Sequence, residues 1–279
     1  MRKVIIAAAL LGAGTTRAQS PHVPLTPDEI AADVVAVAKA GAAIAHIHVR
    51  DKNGANTMET SAFAEVMEKS QAACRKADID IVFNLTSSGG KFPYVMRQAH
   101  LKLLRPEMCS LTPNSMNWAN SYLFKNEPEF IKELANTILE NDIKPEIEIF
   151  DASMLESAKY YIAKGLFKTP CHFQFVIGVA VPGNIMHLSF MLQQMPEGST
   201  WSVTGIGKAH LPMLLAGLAE SCTCLRVGLE DNVFLAKGVY ATNVSLVERA
   251  VSMAKLAGCG IATPDEAREI LGIGRNWRQ

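Results

Sequence analysis

The segment Val4-Ile5-Ile6-Ala7-Ala8-Ala9 decides the fold, and it can be read in two ways. Lying between Met1-Arg2-Lys3 and Thr16-Arg17-Ala18-Gln19-Ser20, it resembles the apolar core of a signal peptide followed by a small-residue cleavage site. It is also an apolar, partly β-branched run of strand length. The downstream chain separates the two. From residue 26 onward helices and strands alternate, and without residues 4–9 they supply seven strands and an open seam. With that segment there are eight strands, each followed by a helix. At 279 residues this argues for a closed (β/α)8 barrel, read as a single domain over residues 1–279. A doubly wound open sheet is the competing arrangement. The segment is therefore taken as the first barrel strand and not as a leader.

Caps and periodicity mark the other elements. Thr26-Pro27-Asp28-Glu29 combines an N-cap threonine, a proline at the first helical position and a capping-box glutamate. That helix should end at Ala40-Gly41. Ile44-Ala45-His46-Ile47-His48-Val49-Arg50-Asp51 then reads as one strand. Further helices are expected at 60–76, 94–104, 128–140, 153–164, 184–194, 210–219 and 244–256, with a short last one after Thr263-Pro264. The strands between them are expected at 80–86, 108–112, 144–150, 171–178, 200–204 and 223–228.

Composition excludes several functions. The chain is 49% hydrophobic and carries 27 basic against 27 acidic residues with no basic run, which argues against a nucleic-acid partner. Six cysteines lie in apolar segments without a pair of C-x-x-C motifs, as expected for reduced, buried thiols in a cytoplasmic protein. No later apolar run is long enough to span a bilayer.

Side chains alternate across a strand, so His46 and His48 share a face. Two imidazoles at the C-terminal end of a buried strand are poor packing units but half of a metal site. A pair of hydrogen-bonded structural histidines is the plainer alternative. In a (β/α)8 barrel the active site lies at the C-terminal strand ends, and the odd polar residues collect there. They are Arg50 and Asp51 beside the histidines; Asn84, Thr86 and Ser87; Ser110 and Thr112; Glu146 and Glu148; Gly205-Ile206-Gly207-Lys208; and Arg226, Glu230 and Asp231. Glu230 completes a two-histidine, one-carboxylate set that leaves a position open, as a catalytic zinc site does. The eighth strand neighbours the first in a closed barrel, so the reach is short. Arg226 near Asp231 would hold it ionised and oriented as a general base. Glu146 and Glu148 share a face and need a cation if buried. The Gly205–Lys208 turn suits an anionic ligand or is only a turn. Thr86, Ser87, Ser110 and Thr112 serve either substrate or strand ends.

Together these motifs resemble the β-keto acid cleavage enzymes. The likeness runs from Ile6 to Leu271 and is carried by Gly12-Ala13-Gly14-Thr15-Thr16, His46-Ile47-His48-Val49-Arg50, Pro106-Glu107-Met108, Pro145-Glu146-Ile147-Glu148, Gly205-Ile206-Gly207-Lys208-Ala209-His210 and Arg226-Val227-Gly228-Leu229-Glu230-Asp231-Asn232. The resemblance implies a (β/α)8 barrel, a homotetramer and a divalent metal, usually zinc. It implies conversion of a β-keto acid and acetyl-CoA into acetoacetate and a new acyl-CoA. It also implies that His46, His48 and Glu230 hold the metal, that Asp231 with Arg226 deprotonates C2, and that Thr86-Ser87 and Ser110 grip the substrate carboxylate. Thr112 stands where the founding member has asparagine. Gly14 stands where it has the glutamate that binds the ammonium of 3-keto-5-aminohexanoate, so a neutral β-keto acid is the expected substrate, with Glu148 the remaining nearby acid.

Overall fold

The computed structural model describes residues 1–274. Eight parallel strands, β1 (Lys3–Ala9), β2 (Ile44–Ile47), β3 (Val82–Leu85), β4 (Met108–Leu111), β5 (Lys144–Ile149), β6 (His172–Ile177), β7 (Thr200–Gly205) and β8 (Cys224–Val227), pair in chain order. β8 then pairs with β1, with Ile5 opposite Cys224 and Ala8 opposite Val227. That closure rules out the doubly wound sheet. The helices between and after the strands are α1 (Pro27–Ala40), α2 (Thr60–Ala77), α3 (Tyr94–Leu104), α4 (Pro128–Glu140), α5 (Ala152–Ala163), α6 (Ile185–Leu192), α7 (His210–Ala219), α8 (Asn243–Leu256) and α9 (Pro264–Leu271).

Local chemistry explains the boundaries. At α1 the Glu29 N–H donates to Thr26 Oγ1 and the Thr26 N–H donates to Glu29 Oε2, which satisfies both groups reciprocally. Gly41, at φ 110°, ends the helix in the left-handed region. The same box, Thr263 with Glu266, starts α9. Strand β1 is buried from Val4 to Ala9, as expected of a strand covered on both faces.

Alternation along the strands divides the barrel interior into layers. Ile5, Ala7, Ile44, Val82, Met108 and Cys224 form one apolar cluster with Ala267 and Leu271 of α9, which plugs the N-terminal end. Two residues further along the same faces the side chains turn polar: His46, Asn84, Ser110, Glu146 and Arg226, all buried. The core outside the barrel lies between the strands and the surrounding helices.

Three features depart from the expected pattern. The strand expected to run through Asp51 leaves the barrel after Ile47, because its parallel neighbours end at Ala9 and Leu85. Beyond the rim, Val49–Arg50 pairs antiparallel with Asn56–Thr57, and Asp51 Oδ1 closes the turn by accepting the Asn53 and Ala55 N–H groups. Gly260–Ile261 adds to the N-terminal end of β1. Two hairpins, Met116–Trp118 with Tyr122–Phe124 and Phe234–Ala236 with Val239–Tyr240, stand beyond the C-terminal ends of β4 and β8.

Closure brings the ends of β1 and β8 into close approach. Gly228, at φ +144°, sits so near β1 that an added Cβ would lie 2.0 Å from the Ala9 carbonyl oxygen. That carbonyl accepts the Glu230 N–H at 3.2 Å, while the Leu10 N–H reaches the His46 carbonyl at 3.2 Å. The seam thus sets both histidine and glutamate backbones. Gly228→Ala should cost about 3 kcal/mol through strain and overlap. Urea denaturation checks this, and an unchanged midpoint would mean that the seam tolerates a side chain.

Candidate active site and metal centre

His46, opposite Ala9 and Asn84 in its ladders, and His48, one step past β2, both point into the C-terminal mouth. Their rings meet edge to face at 5.3 Å between centroids. Glu230, in the loop after β8, brings Oε2 to 3.5 Å from His46 Nε2 and Oε1 to 3.5 Å from His48 Nε2. One donor atom from each residue lies within 4.8 Å of the others. Gly12 makes room for this carboxylate, since a Cβ there would stand 2.7 Å from Glu230 Cγ.

These donors suit a divalent cation on two further grounds. Both ring nitrogens of His46, His48 Nδ1 and Glu230 Oε2 are buried without a hydrogen-bond partner among the described residues, which is costly unless something ligates them. Burial then pushes His46 down to about 3, keeping it a neutral ligand. Burial opposes charge on Glu230, but Arg226 and the two histidines outweigh it and hold the carboxyl below its usual range.

Arg226 is the hub of the remaining charge. Its Nε and Nη2 donate to Asp231 Oδ2 and Oδ1 at 3.0 and 3.1 Å, a bidentate fork. Nη1 donates to Glu148 Oε1 at 3.1 Å and lies 3.7 Å from Glu146 Oε2, and Nη2 lies 2.8 Å from Glu230 Oε1. One guanidinium therefore faces four carboxylates. Burial raises Glu146 to about 7 despite Arg226 and the Asn84 Nδ2–H that donates to it at 2.9 Å. The acids on Arg226 outnumber its one positive charge, and a divalent cation beside them would offset that excess. Asp231 also accepts from Thr204 Oγ1 at 3.0 Å, and its burial, partly offset by Arg226, raises it to about 6.

The hydroxyl residues divide by what their hydrogens do. Ser87 Oγ donates to the Ser110 carbonyl at 2.6 Å, and Thr112 Oγ1 donates to Glu148 Oε2 at 3.0 Å, so both are engaged internally. Ser88 Oγ reaches Glu148 Oε2 at 3.5 Å. Thr86 Oγ1 accepts the Ser88 N–H at 2.9 Å, and Ser110 Oγ accepts the Ser87 N–H at 3.3 Å. Neither of these two buried hydroxyls gives its own hydrogen to a described residue, so both can donate to a ligand.

Gly14 lies in the loop after β1 and not at the strand end itself, exposed and with open space around an added Cβ. The glycines after β7 have steric reasons. A Cβ at Gly205 would meet the Ala209 carbonyl oxygen at 2.2 Å, and Gly207 is left-handed at φ +56°. The Gly207 N–H donates to the Asp231 carbonyl at 2.9 Å, so it anchors Asp231 and is not free for an anion. Lys208 beside it is exposed.

Gly12 stood in the sequence as part of a family motif, but its role and that of Thr204 arise from contacts across the barrel. Asn84 and Glu146 were legible as polar residues on inward strand positions, but their mutual hydrogen bond was not.

A closed barrel with carboxylate, imidazole and guanidinium groups gathered at its C-terminal mouth defines a (β/α)8-barrel enzyme able to hold a divalent cation. Residues 3–273 match the family described as beta-keto acid cleavage enzyme, and the chain belongs to that family. It is 38% identical over 274 residues to a 3-keto-5-aminohexanoate cleavage enzyme of Fusobacterium nucleatum, covering 98% of this chain and 99% of the relative. It is 35% identical to a 3-dehydrocarnitine:acetyl-CoA trimethylamine transferase of Rhizobium meliloti, covering 98% and 97%. A third relative, a 3-oxoadipate:acetyl-CoA acetyltransferase of Cupriavidus necator, is 33% identical over 96% and 94%. Among solved structures, a ternary complex of ObcA with C4-CoA adduct and oxalate has the same fold, with a TM-score of 0.81 at 19% identity over 91% of this chain and 68% of that one.

Replacing both histidines, His46→Ala/His48→Ala, should abolish metal binding while wild-type protein holds about one divalent ion per chain, because the variant keeps only one of the three protein ligands. Elemental analysis after gel filtration checks this, and full occupancy in the double variant would remove the assignment.

Proposed function

We propose that the enzyme converts a β-keto acid and acetyl-CoA into acetoacetate and the acyl-CoA of the original keto fragment. The observation that carries this reading is the meeting of an Arg226-held Asp231 with the His46, His48 and Glu230 donor set in one buried mouth. The names of the acetyl-CoA-dependent relatives agree with it. A divalent cation, zinc by the nature of the donors, would be held by His46, His48 and Glu230 and would supply Lewis-acid polarisation of the substrate's oxygens.

The chain's own residues do the rest. Thr86 and Ser110 donate their hydroxyl hydrogens to the substrate carboxylate, with Ser87 and Thr112 holding the surrounding backbone and Glu148 in place. Asp231 accepts the proton from C2 of the keto acid. Its fork to Arg226 fixes its orientation, and its elevated proton affinity suits a base working near neutrality. Lys208 is the cation at the β7 end for the phosphates of the coenzyme. Burial of all six free cysteines suits a reducing cytoplasm, and among the described residues no helix is long and apolar enough to cross a membrane. Exposed apolar side chains on α6 and α7, among them Met186, Phe190 and Leu215, offer surface for the homotetramer that the family resemblance implies.

Asp231→Asn should keep fold and metal and lose about a hundredfold or more in turnover. The assay is acetoacetate formation from a panel of β-keto acids with acetyl-CoA. Near-normal turnover would assign the proton to another group, and turnover without acetyl-CoA would identify an aldolase or hydrolase instead.

The substrate's far end should be neutral. No carboxylate stands at Gly14, Glu148 is engaged by Arg226 and the Thr112 hydroxyl, and Asp51 is engaged with its own turn. An ammonium entering there would be unpaired, which is costly. The open space around Gly14 makes Gly14→Glu a clean test. The kcat/KM ratio of a neutral chain to its amino analogue should exceed one in the wild type and fall in Gly14→Glu. An unchanged ratio would mean that residue 14 does not read the side chain.

A further inference from the structure

Arg97 of α3 is fully buried, and among the described residues no acid pairs with it. All its polar contacts go to neutral oxygens: Nε donates to the Ser87 carbonyl at 3.0 Å, Nη1 to the Lys125 carbonyl at 2.8 Å and Nη2 to Asn126 Oδ1 at 2.7 Å. The guanidinium carbon lies 4.0 Å from the Phe130 ring centroid. Burial lowers this group only to about 10, so it is a cation at neutral pH. A buried cation without an anion is expensive, and its field reaches far in a low-dielectric interior. Arg226, by contrast, is surrounded by acids.

The loop after β3 is built to lie on Arg97. A Cβ at Gly89 would come to 3.1 Å from Arg97 Cγ and 2.6 Å from Met58 Cγ, and one at Gly90 to 2.6 Å from Phe124 Cδ2. From the Ser87 carbonyl the polarity continues toward the barrel mouth. The same peptide group carries the Ser88 N–H, which donates to Thr86 Oγ1 at 2.9 Å. The Thr86 hydroxyl then ends the chain with a hydrogen to give. Hydrogen bonds arranged in series polarise one another, and a charged first donor strengthens the effect.

We propose that Arg97 is a positioning residue for the substrate carboxylate: through the Ser87–Ser88 peptide it polarises the Thr86 hydroxyl, and it supplies the buried positive potential that a bound carboxylate balances without contact. The inference rests on the reading of Thr86 and Ser110 as the carboxylate grip.

The test compares acetoacetate with its methyl ester, which keeps the keto group and lacks the charge. Dissociation constants are measured by calorimetry on metal-loaded protein, with metal content and thermal midpoint recorded for each variant. Arg97→Gln should weaken acetoacetate by about tenfold and leave the ester within about twofold. Arg97→Lys, which keeps the charge, should lose less. In a Thr86→Val background Arg97→Gln should cost less than it does alone, because the hydrogen-bonded chain has lost its end and only the potential of the buried charge remains. Equal weakening of acid and ester, in Arg97→Gln or in Arg97→Lys if the former does not fold, would reduce Arg97 to a packing role and overturn the proposal. Retention of the wild-type preference for acetoacetate in the Arg97 variants would overturn it too, with the carboxylate grip intact. Failure of the wild type to prefer acetoacetate would overturn the grip itself, and this inference with it.

Discussion

The chemistry of this barrel depends on the guanidinium of Arg226. It is buried on β8 and reaches acids from both the β8 loop and β5, on another side of the barrel. Removing one partner from such a network costs about 3 to 5 kcal/mol, because the charges left behind stay buried. Here the residue would leave four acids facing one another. The arginine therefore fixes the spacing of Asp231, Glu230 and Glu148 together, and with them the mouth of the barrel. An acid excess remains after Arg226 is counted, which is why the unpartnered imidazole and carboxylate atoms beside it fit a cation.

The division of the interior into layers makes this charge density tolerable. The apolar cluster of Ile5, Ile44, Val82, Met108 and Cys224, sealed by Ala267 and Leu271, closes the N-terminal end. Stability can reside there while the opposite end carries groups chosen for reaction. One residue type in each strand marks the change: Ile44 gives way to His46, Val82 to Asn84, Met108 to Ser110 and Cys224 to Arg226. The glycines serve the same division by allowing close approach where charged side chains must converge. Gly228 lets β8 meet β1, Gly12 leaves space for Glu230, and Gly205 lets the turn that anchors Asp231 fold tightly.

Much of the architecture was legible because it depends on local chemistry. The Thr26–Glu29 capping box, the left-handed Gly41 and the apolar runs of the strands specify elements through neighbours a few residues away. Strand alternation put His46 and His48 on one face, and the eight-strand count made Val4–Ala9 necessary for closure. The polar residues collected at the expected strand ends extended that reading to Glu230, Asp231 and Arg226, and the family motifs agreed with it. The break after Ile47 was not legible, because a strand ends where its neighbours stop pairing, and their ends lie elsewhere in the chain.

What the tertiary structure alone decided concerns partners distant in sequence. The letters Thr86, Ser87, Ser88 and Ser110 are chemically alike. Only the fold engages the Ser87 hydroxyl with the Ser110 carbonyl while leaving the hydrogens of Thr86 and Ser110 to be donated. Gly205-Ile206-Gly207 reads equally as an anion loop or a turn, and the Gly207 N–H on the Asp231 carbonyl makes it the anchor of an acid. Arg97 reads as an ordinary helical arginine until α3 packs it against Phe130 and the Ser87 carbonyl. By itself the sequence determined the eight barrel strands and the helices around them, their order, and which polar residues reach the open end, since period and caps are short-range properties. Hydrogen-bond direction, charge balance and free donors came only from the closed barrel, because each depends on atoms that closure alone brings within a few ångströms.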